Sequence, residues 1–222
     1  MRRIWIALLA LPLLVAAADV KPGSPVSRWS IKTSLPPGTD LSKPGAAISL
    51  DDLLALPPAA PSRTPEFQNK RYPKAAGAKA GEGDILRTTG WIRLVAGEPD
   101  GDFHIQITDT LDTFDNCLVV EVPKDDAEFV AAAPEVVSAA RTVRDFVVTN
   151  LLNGKDPTGK VMVIGKAYVE ITGQLFFDSE HQAAMSKGVF RGKSINGKQL
   201  PSKTSWEIHP ITGIAFAPRP AN

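Results

Sequence analysis

Three histidines occur in the chain, and each stands beside acids or amides. His104 lies in "DGDFHIQI", with Asp102 and Gln106 two residues to either side. His181 lies in "FFDSEHQ", and His209 in "WEIHP", two residues after Glu207. In an extended segment, residues two apart share a face, so His104 with Gln106 and Glu207 with His209 are presented together. Imidazole and carboxylate on one face can hold a divalent cation such as zinc, bind a polar ligand, or pair with each other across strands. Glu121 in "CLVVEVP" carries the same outward phase.

These residues sit on segments with clear strand periodicity. "DFHIQITD" alternates Phe103, Ile105 and Ile107 with His104, Gln106 and Thr108. "CLVVEVP" turns Leu118, Val120 and Val122 inward. "DILRTTGWIRLVAG" is a long strand whose Gly90 marks a bend or bulge, and "EPDG" is a turn. Then the period changes. Val136, Ala140, Val143, Val147 and Leu151 recur at helical spacing, with Asp125 or Asp126 as the cap and Gly154 after the end. Pro134 splits this region into a short first turn and a longer helix. "VMVIGKAYVEITGQLFFD" and "SWEIHPITGIAFA" are the last two strands.

Three strands, a helix and two strands is the chain order of the OB-fold, a five-stranded Greek-key barrel with its helix between strands three and four. A generic α+β sandwich is the alternative. The OB reading predicts a mainly β domain over residues 83–222. In that barrel the second, third and fifth strands are contiguous, about 4.8 Å apart. His104, Gln106, Glu121, Glu207 and His209 then share the outer face of one patch, with His181 just after the fourth strand. Three uses of that patch stay open. One is a solvated face with cross-strand His–Glu pairs. A second is a metal site of His104, His209 and a glutamate, Glu207 by preference, closed by His181. The third is a ligand-recognition surface. As an outward residue, His209 is expected to change stability by no more than about 0.5 kcal/mol on truncation, and Pro210 to end the strand's pairing.

Before the barrel, residues 19–82 form a lead-in rich in Pro, Gly, Ala and Ser. One helix stands out in it, near residues 50–56. Ser49 caps it, Asp51 and Asp52 occupy its first turn, and Leu50, Leu53, Leu54 and Leu56 make its apolar side. Residues 1–18 read as a secretory signal peptide. Arg2 and Arg3 precede an apolar run from Ile4 to Val15 and the small residues Ala16, Ala17 and Ala18. An uncleaved N-terminal anchor is the alternative. The expectation is an exported protein, periplasmic or extracellular.

Without residues 1–18 the chain keeps 23 basic residues against 24 acidic ones, a balance that argues against a general electrostatic grip on nucleic acid. Cys117 is the single cysteine, so no internal disulfide forms. One basic cluster exists, in "KGVFRGKSINGKQLPSK": Lys187, Arg191, Lys193, Lys198 and Lys203, with Phe190 among them. It is either a solvated loop or a lip for an anionic polymer. No Walker A loop, G-x-S-x-G elbow or G-x-G-x-x-G after a strand occurs.

The combination of "DGDFHIQI", "CLVVEVP", "GQLFFDSEH" and "SWEIHP" resembles a group of exported bacterial proteins of unassigned activity. These carry D-x-H, V-E-x-P, F-F-D-x-x-H and W-E-I-H-P segments. The lead-in "IKTSLPPGTDL" and the "SLDDLLALP" helix fit the same pattern. The resemblance implies an exported OB-like barrel and supplies no reaction. Its motifs fall on Asp102, His104, Glu121, Asp178, His181, Glu207 and His209, of which Asp178 comes from the motif alone. The basic insertion has no counterpart in it.

Three functions are therefore open. The first is an OB-fold binding module for an oligonucleotide, oligosaccharide or other anionic polymer. The second is a metal-dependent hydrolase using the His/Glu face. The third is a structural envelope protein that makes contact through its proline-rich lead-in.

Overall fold

The alternating segments become strands, and their apolar phases meet in one core. The structure is a computed structural model that describes residues 28–59, 65–126 and 134–220. The expected signal peptide and the turn expected ahead of Pro134 lie outside the described residues. In chain order the elements are α1 (Trp29–Lys32), β1 (Ala46–Ala47), α2 (Leu50–Leu54), β2 (Ile85–Gly97), β3 (Phe103–Thr108) and β4 (Leu118–Val122). There follow α3 (Pro134–Phe146), β5 (Met162–Phe177), α4 (Ser179–Met185), β6 (Gly192–Ile195), β7 (Lys198–Pro201) and β8 (Trp206–Phe216).

Five strands close into a barrel in the order β2-β3-β4-β8-β5, and β5 returns to β2. All its pairings are antiparallel except β4 with β8, which run parallel through Val119–Glu207 and Val120–Ile208. This is an OB-like barrel, with α3 between its third and fourth strands in the chain. Ile105, Ile107, Leu118, Val120 and Ile208 fill its interior, as the alternation predicts.

The long first strand curves because it serves two neighbours, pairing with β3 and β5 at once. Its register slips between Ile92 and Leu94, so the bulge falls after Gly90 and not on it. Gly90 answers a different need. A Cβ there would stand 3.2 Å from the Thr108 carbonyl oxygen and 3.3 Å from Ile107.

Pro210 does not end β8. The strand continues to Phe216, and only its pairing with β4 stops at Ile208. The missing N–H of Pro210 falls where the β5–β8 register is already broken, between Gly173 and Leu175, so no ladder bond is lost. Gly173 admits this crossing, since a Cβ there would lie 2.5 Å from the Pro210 carbonyl oxygen.

In α3, Val136, Ala140 and Val143 are buried, and Val147 continues the stripe. Residues Val147–Leu151 then widen into a π-turn. The extra residue per turn rotates the stripe, so Leu152 is buried where Leu151 was expected. The turn that Asp125 or Asp126 was expected to cap lies outside the described residues; α3 begins at Pro134, and Asp125 meets Arg141 at 3.0 Å.

The lead-in folds onto the barrel. Ser49 accepts from the Asp52 N–H at 3.1 Å, and Leu50, Leu53 and Leu56 join the core. The Trp206 indole donates to the Pro57 carbonyl at 2.8 Å. The short β1 takes the part of β2 that β3 does not reach.

Arg28, just before α1, is the firmest tie. Its guanidinium meets both oxygens of Glu82 at 2.7 Å and donates to the carbonyls of Phe67, Lys70 and Phe177. Glu82 in turn accepts from the N–H groups of Tyr72 and Phe177. Five donors and both carboxylate oxygens are thus satisfied out of water, the condition under which a buried ion pair holds. No helix among the described residues is long and apolar enough to cross a membrane.

Truncation of Arg28 to Ala leaves Glu82 charged and buried, and should cost about 3–5 kcal/mol. Ile208→Ala opens a core cavity and should cost about 2–5 kcal/mol. Equilibrium denaturation of both variants measures this. An Arg28→Ala chain as stable as the wild type would mean that the lead-in is undocked in solution.

Candidate functional site

The outward residues of β3, β4 and β8 do converge, but not in solvent. His104 is 7% exposed, Gln106 0%, Glu121 8%, Glu207 1% and His209 0%. A solvated polar face is therefore excluded. Two covers account for it: α1 from the lead-in, and the β6–β7 hairpin from the basic insertion.

The hairpin follows from Asn196-Gly197, whose φ values of 50° and 80° are those of a two-residue primed turn. It lies on the outer face of β3 because Gln106 grips it. The Gln106 amide donates to the Leu200 carbonyl at 2.8 Å, and its oxygen accepts from the Lys193 N–H at 2.7 Å. Ile195 and Leu200 pack on Leu94 and Cys117 beneath. Burial there pushes the Cys117 thiol up to about 12, so it stays protonated and structural.

The hairpin does not form a free basic lip. Arg191 is buried, donating to the Thr204 carbonyl and, in a short contact, to Glu207. Lys193 meets Glu98 at 2.6 Å. Lys198 lies 3.9 Å from the centre of the Phe114 ring. Lys187 and Lys203 are exposed.

From the other side, α1 delivers Lys32. Its ammonium stands 2.9 Å from Asp102, 3.1 Å from Glu121 and 3.7 Å from Asp100. Asp102 comes from the turn before β3, Glu121 from β4. His104, directly across from Glu121 in the β3–β4 ladder, places Nδ1 2.8 Å from Glu121 Oε1. His209 Nδ1 donates to the Lys32 carbonyl at 2.8 Å, and its Nε2 lies 3.0 Å from Asp102 Oδ2 and 3.7 Å from Glu121 Oε2.

The donor atoms that draw within 4.8 Å of one another are those of Asp102, Glu121 and His209. Glu207 is drawn to Arg191, and His104 acts on Glu121 from behind. His209 is thus fully buried, with a partner at each nitrogen. It is not the freely replaceable surface residue that its outward phase suggests.

The charges tune one another. Burial works against every ion here. It is overcome at Glu121 and Asp102, where Lys32 first and the neighbouring imidazoles next hold the carboxyls below their ordinary range. Those acids in turn raise the Lys32 ammonium well above its ordinary value. Glu207 differs. Burial, and the Glu121 carboxylate beside it, push its carboxyl well above the usual range against the pull of Arg191.

His181 is exposed, in contrast to the other two histidines. Asp178 caps α4 by accepting from the N–H groups of Glu180 and His181, and it also holds His181 Nδ1 in a short contact. The Asp178 carboxylate raises His181.

Between the two covers a pocket of about 310 Å³ remains. Lys32, His104, His181, Arg191 and Lys193 line it, together with Glu98, Asp100, Glu121, Asp178 and Glu180. Trp29, Phe176 and Phe190 complete its wall. Sequence reasoning missed Lys32, Trp29 and Glu98. The first two lie in a stretch without periodicity, and their partners are remote in the chain. Asn196-Gly197 was a readable hairpin signal for the second cover.

No protein-family model matches the chain, and neither a curated protein nor a solved structure is significantly similar to it.

Glu207 gives a pH test. A carboxyl raised in the folded state stabilises below its ordinary value of 4.5, and that contribution is lost as pH climbs through the raised value. Glu207→Gln removes the loss. The variant should melt above the wild type near pH 7. The advantage should fade toward about pH 4 in thermal melts. A variant equally destabilised at both pH values would show that Glu207 is charged and serves Arg191 as an anion.

Proposed function

We propose that the protein is an exported binding module of the OB type, taking one unit or the end of an oligosaccharide in the pocket between lead-in and hairpin. The observation that carries this reading is the make-up of the pocket. Most of its charges come in opposite pairs: Lys32 with Glu121 and Asp100, Lys193 with Glu98, Arg191 and His181 with Asp178. Such a wall offers donors and acceptors in number without a strong field of one sign, which suits a neutral, hydroxyl-rich ligand. Trp29, Phe176 and Phe190 add apolar surface for the face of a ring.

The position supports the same reading. OB barrels bind oligonucleotides and oligosaccharides on the face of their second and third strands. Here that face is β3 and β4, and the pocket opens on it. A volume near the lower end of small-molecule sites, about 300–1,000 Å³, suits one unit of a chain better than an extended polymer. A nucleic-acid strand would call for unpaired cations along a groove and a row of stacking rings. Export rests on Arg2, Arg3, the apolar run to Val15 and the alanines that follow.

Phe190 is partly exposed at the pocket, so Phe190→Ala should leave the melting temperature unchanged. It should weaken saccharide binding by about 0.5–1.5 kcal/mol, a loss of roughly two- to twelvefold. Calorimetric titration with neutral and acidic oligosaccharides, and with a mixed-sequence single-stranded oligonucleotide, checks this. Salt-sensitive binding of the oligonucleotide alone would sink the saccharide reading. N-terminal sequencing of protein recovered from the envelope or medium should begin near residue 19, and a start at Met1 would refute cleavage.

A further inference from the structure

Beneath the pocket, Asp102, Glu121 and His209 bring three buried ligating groups within 4.8 Å of one another. Clustering alone decides nothing, since buried acids also gather around a lysine. Further observations point to a cation. His209 Nδ1 lies 2.8 Å from the Lys32 carbonyl oxygen, which only accepts, so this nitrogen carries the ring proton. Its Nε2 faces Asp102 Oδ2 and Glu121 Oε2, at 3.0 and 3.7 Å. A backbone carbonyl behind the far nitrogen is the usual support of a metal-ligating histidine. Glu121 is braced in the same manner, because His104 holds its other oxygen from behind at 2.8 Å. Close by, Glu207 Oε1 is buried without a hydrogen-bond partner.

We propose that Asp102, Glu121 and His209 are the protein ligands of a divalent cation, with the Lys32 ammonium as a tethered competitor for the same place. One imidazole nitrogen and two carboxylate oxygens suit Zn²⁺ or Mn²⁺. Donors about 2.1 Å from a tetrahedral ion lie about 3.4 Å apart, so the widest pair of the set has to contract by up to about 1.4 Å. Lys32 now stands 2.9 and 3.1 Å from the two carboxylates and has Asp100 at 3.7 Å to receive it on displacement. Three protein ligands leave a coordination position over, and Glu121 also lines the pocket, so that position is open to whatever the pocket holds. This inference is independent of the ligand class proposed above.

The test is calorimetric titration of the chelator-treated full chain with Zn²⁺ and with Mn²⁺. Wild type, Lys32→Ala, Lys32→Arg and Asp102→Asn are compared. One ion per chain is expected, bound about tenfold more tightly or better by Lys32→Ala, where the competitor is gone. Lys32→Arg keeps the competing charge and should gain nothing. Asp102→Asn should lose the ion. If Asp102→Asn does not fold, the melting temperature of Lys32→Ala decides. It should fall without metal, because two buried carboxylates lose their cation, and recover with one equivalent of metal. Absence of stoichiometric binding below about 1 mM in both wild type and Lys32→Ala overturns the proposal. So does equal affinity in Asp102→Asn, or a Lys32→Ala melting temperature that metal leaves unmoved.

Discussion

Two carboxylates, Asp102 and Glu121, are held out of water on the outer face of a β-barrel, and the ammonium of Lys32 makes that burial tolerable. It comes from the lead-in, and its placement depends on Arg28 four residues earlier, which is fixed by Glu82 and three backbone carbonyls. Gln174 adds a second tie, donating from β5 to the carbonyls of Ile31 and His209. The lead-in is thus bound to the barrel by charge and polar contacts as well as by the apolar side of α2.

That dependence reshapes the barrel's usual ligand face. With α1 on one side and the β6–β7 hairpin on the other, β3 and β4 offer a pocket in place of an open groove. The hairpin's cations serve the structure: Arg191 beside Glu207, Lys193 beside Glu98. A loop whose composition suggests an electrostatic grip is in large part internally neutralised. The polar groups remaining at the pocket hold one another in fixed positions before any ligand arrives.

Much of the barrel was legible in the sequence, because strand alternation is a local signal. Ile105, Val120 and Ile208 point inward, and His104, Glu121 and Glu207 outward, as period two requires. The order of strands and helix was enough to expect an OB-like barrel. What alternation could not convey was that the outer face is itself covered. Its covers rest on contacts between remote positions, such as Lys32 with His209 and Gln106 with Leu200, and these leave no pattern along the chain. Pro210 misled for a related reason. Its missing donor matters only where a ladder bond is due, and the slipped register beside Gly173 asks for none. The grouping of buried donors differs likewise. Shared phase suggested His104 and His209 with one of the glutamates, Glu207 by preference, whereas the donor atoms that draw together are those of Asp102, in a turn, Glu121 and His209.

The separation along the chain between Lys32 and its partners also bears on the order of assembly. The ammonium is ringed by groups from residues 102, 121 and 209, so its place does not exist until the final barrel strand has paired. The segment that carries it precedes all three in the chain, and it stays undocked until they are in place. Contacts of such long sequence separation slow folding, because the loop must close before any of them forms. The acidic face stays wet and open throughout that interval, and its closure under α1 is a late step in reaching the native state.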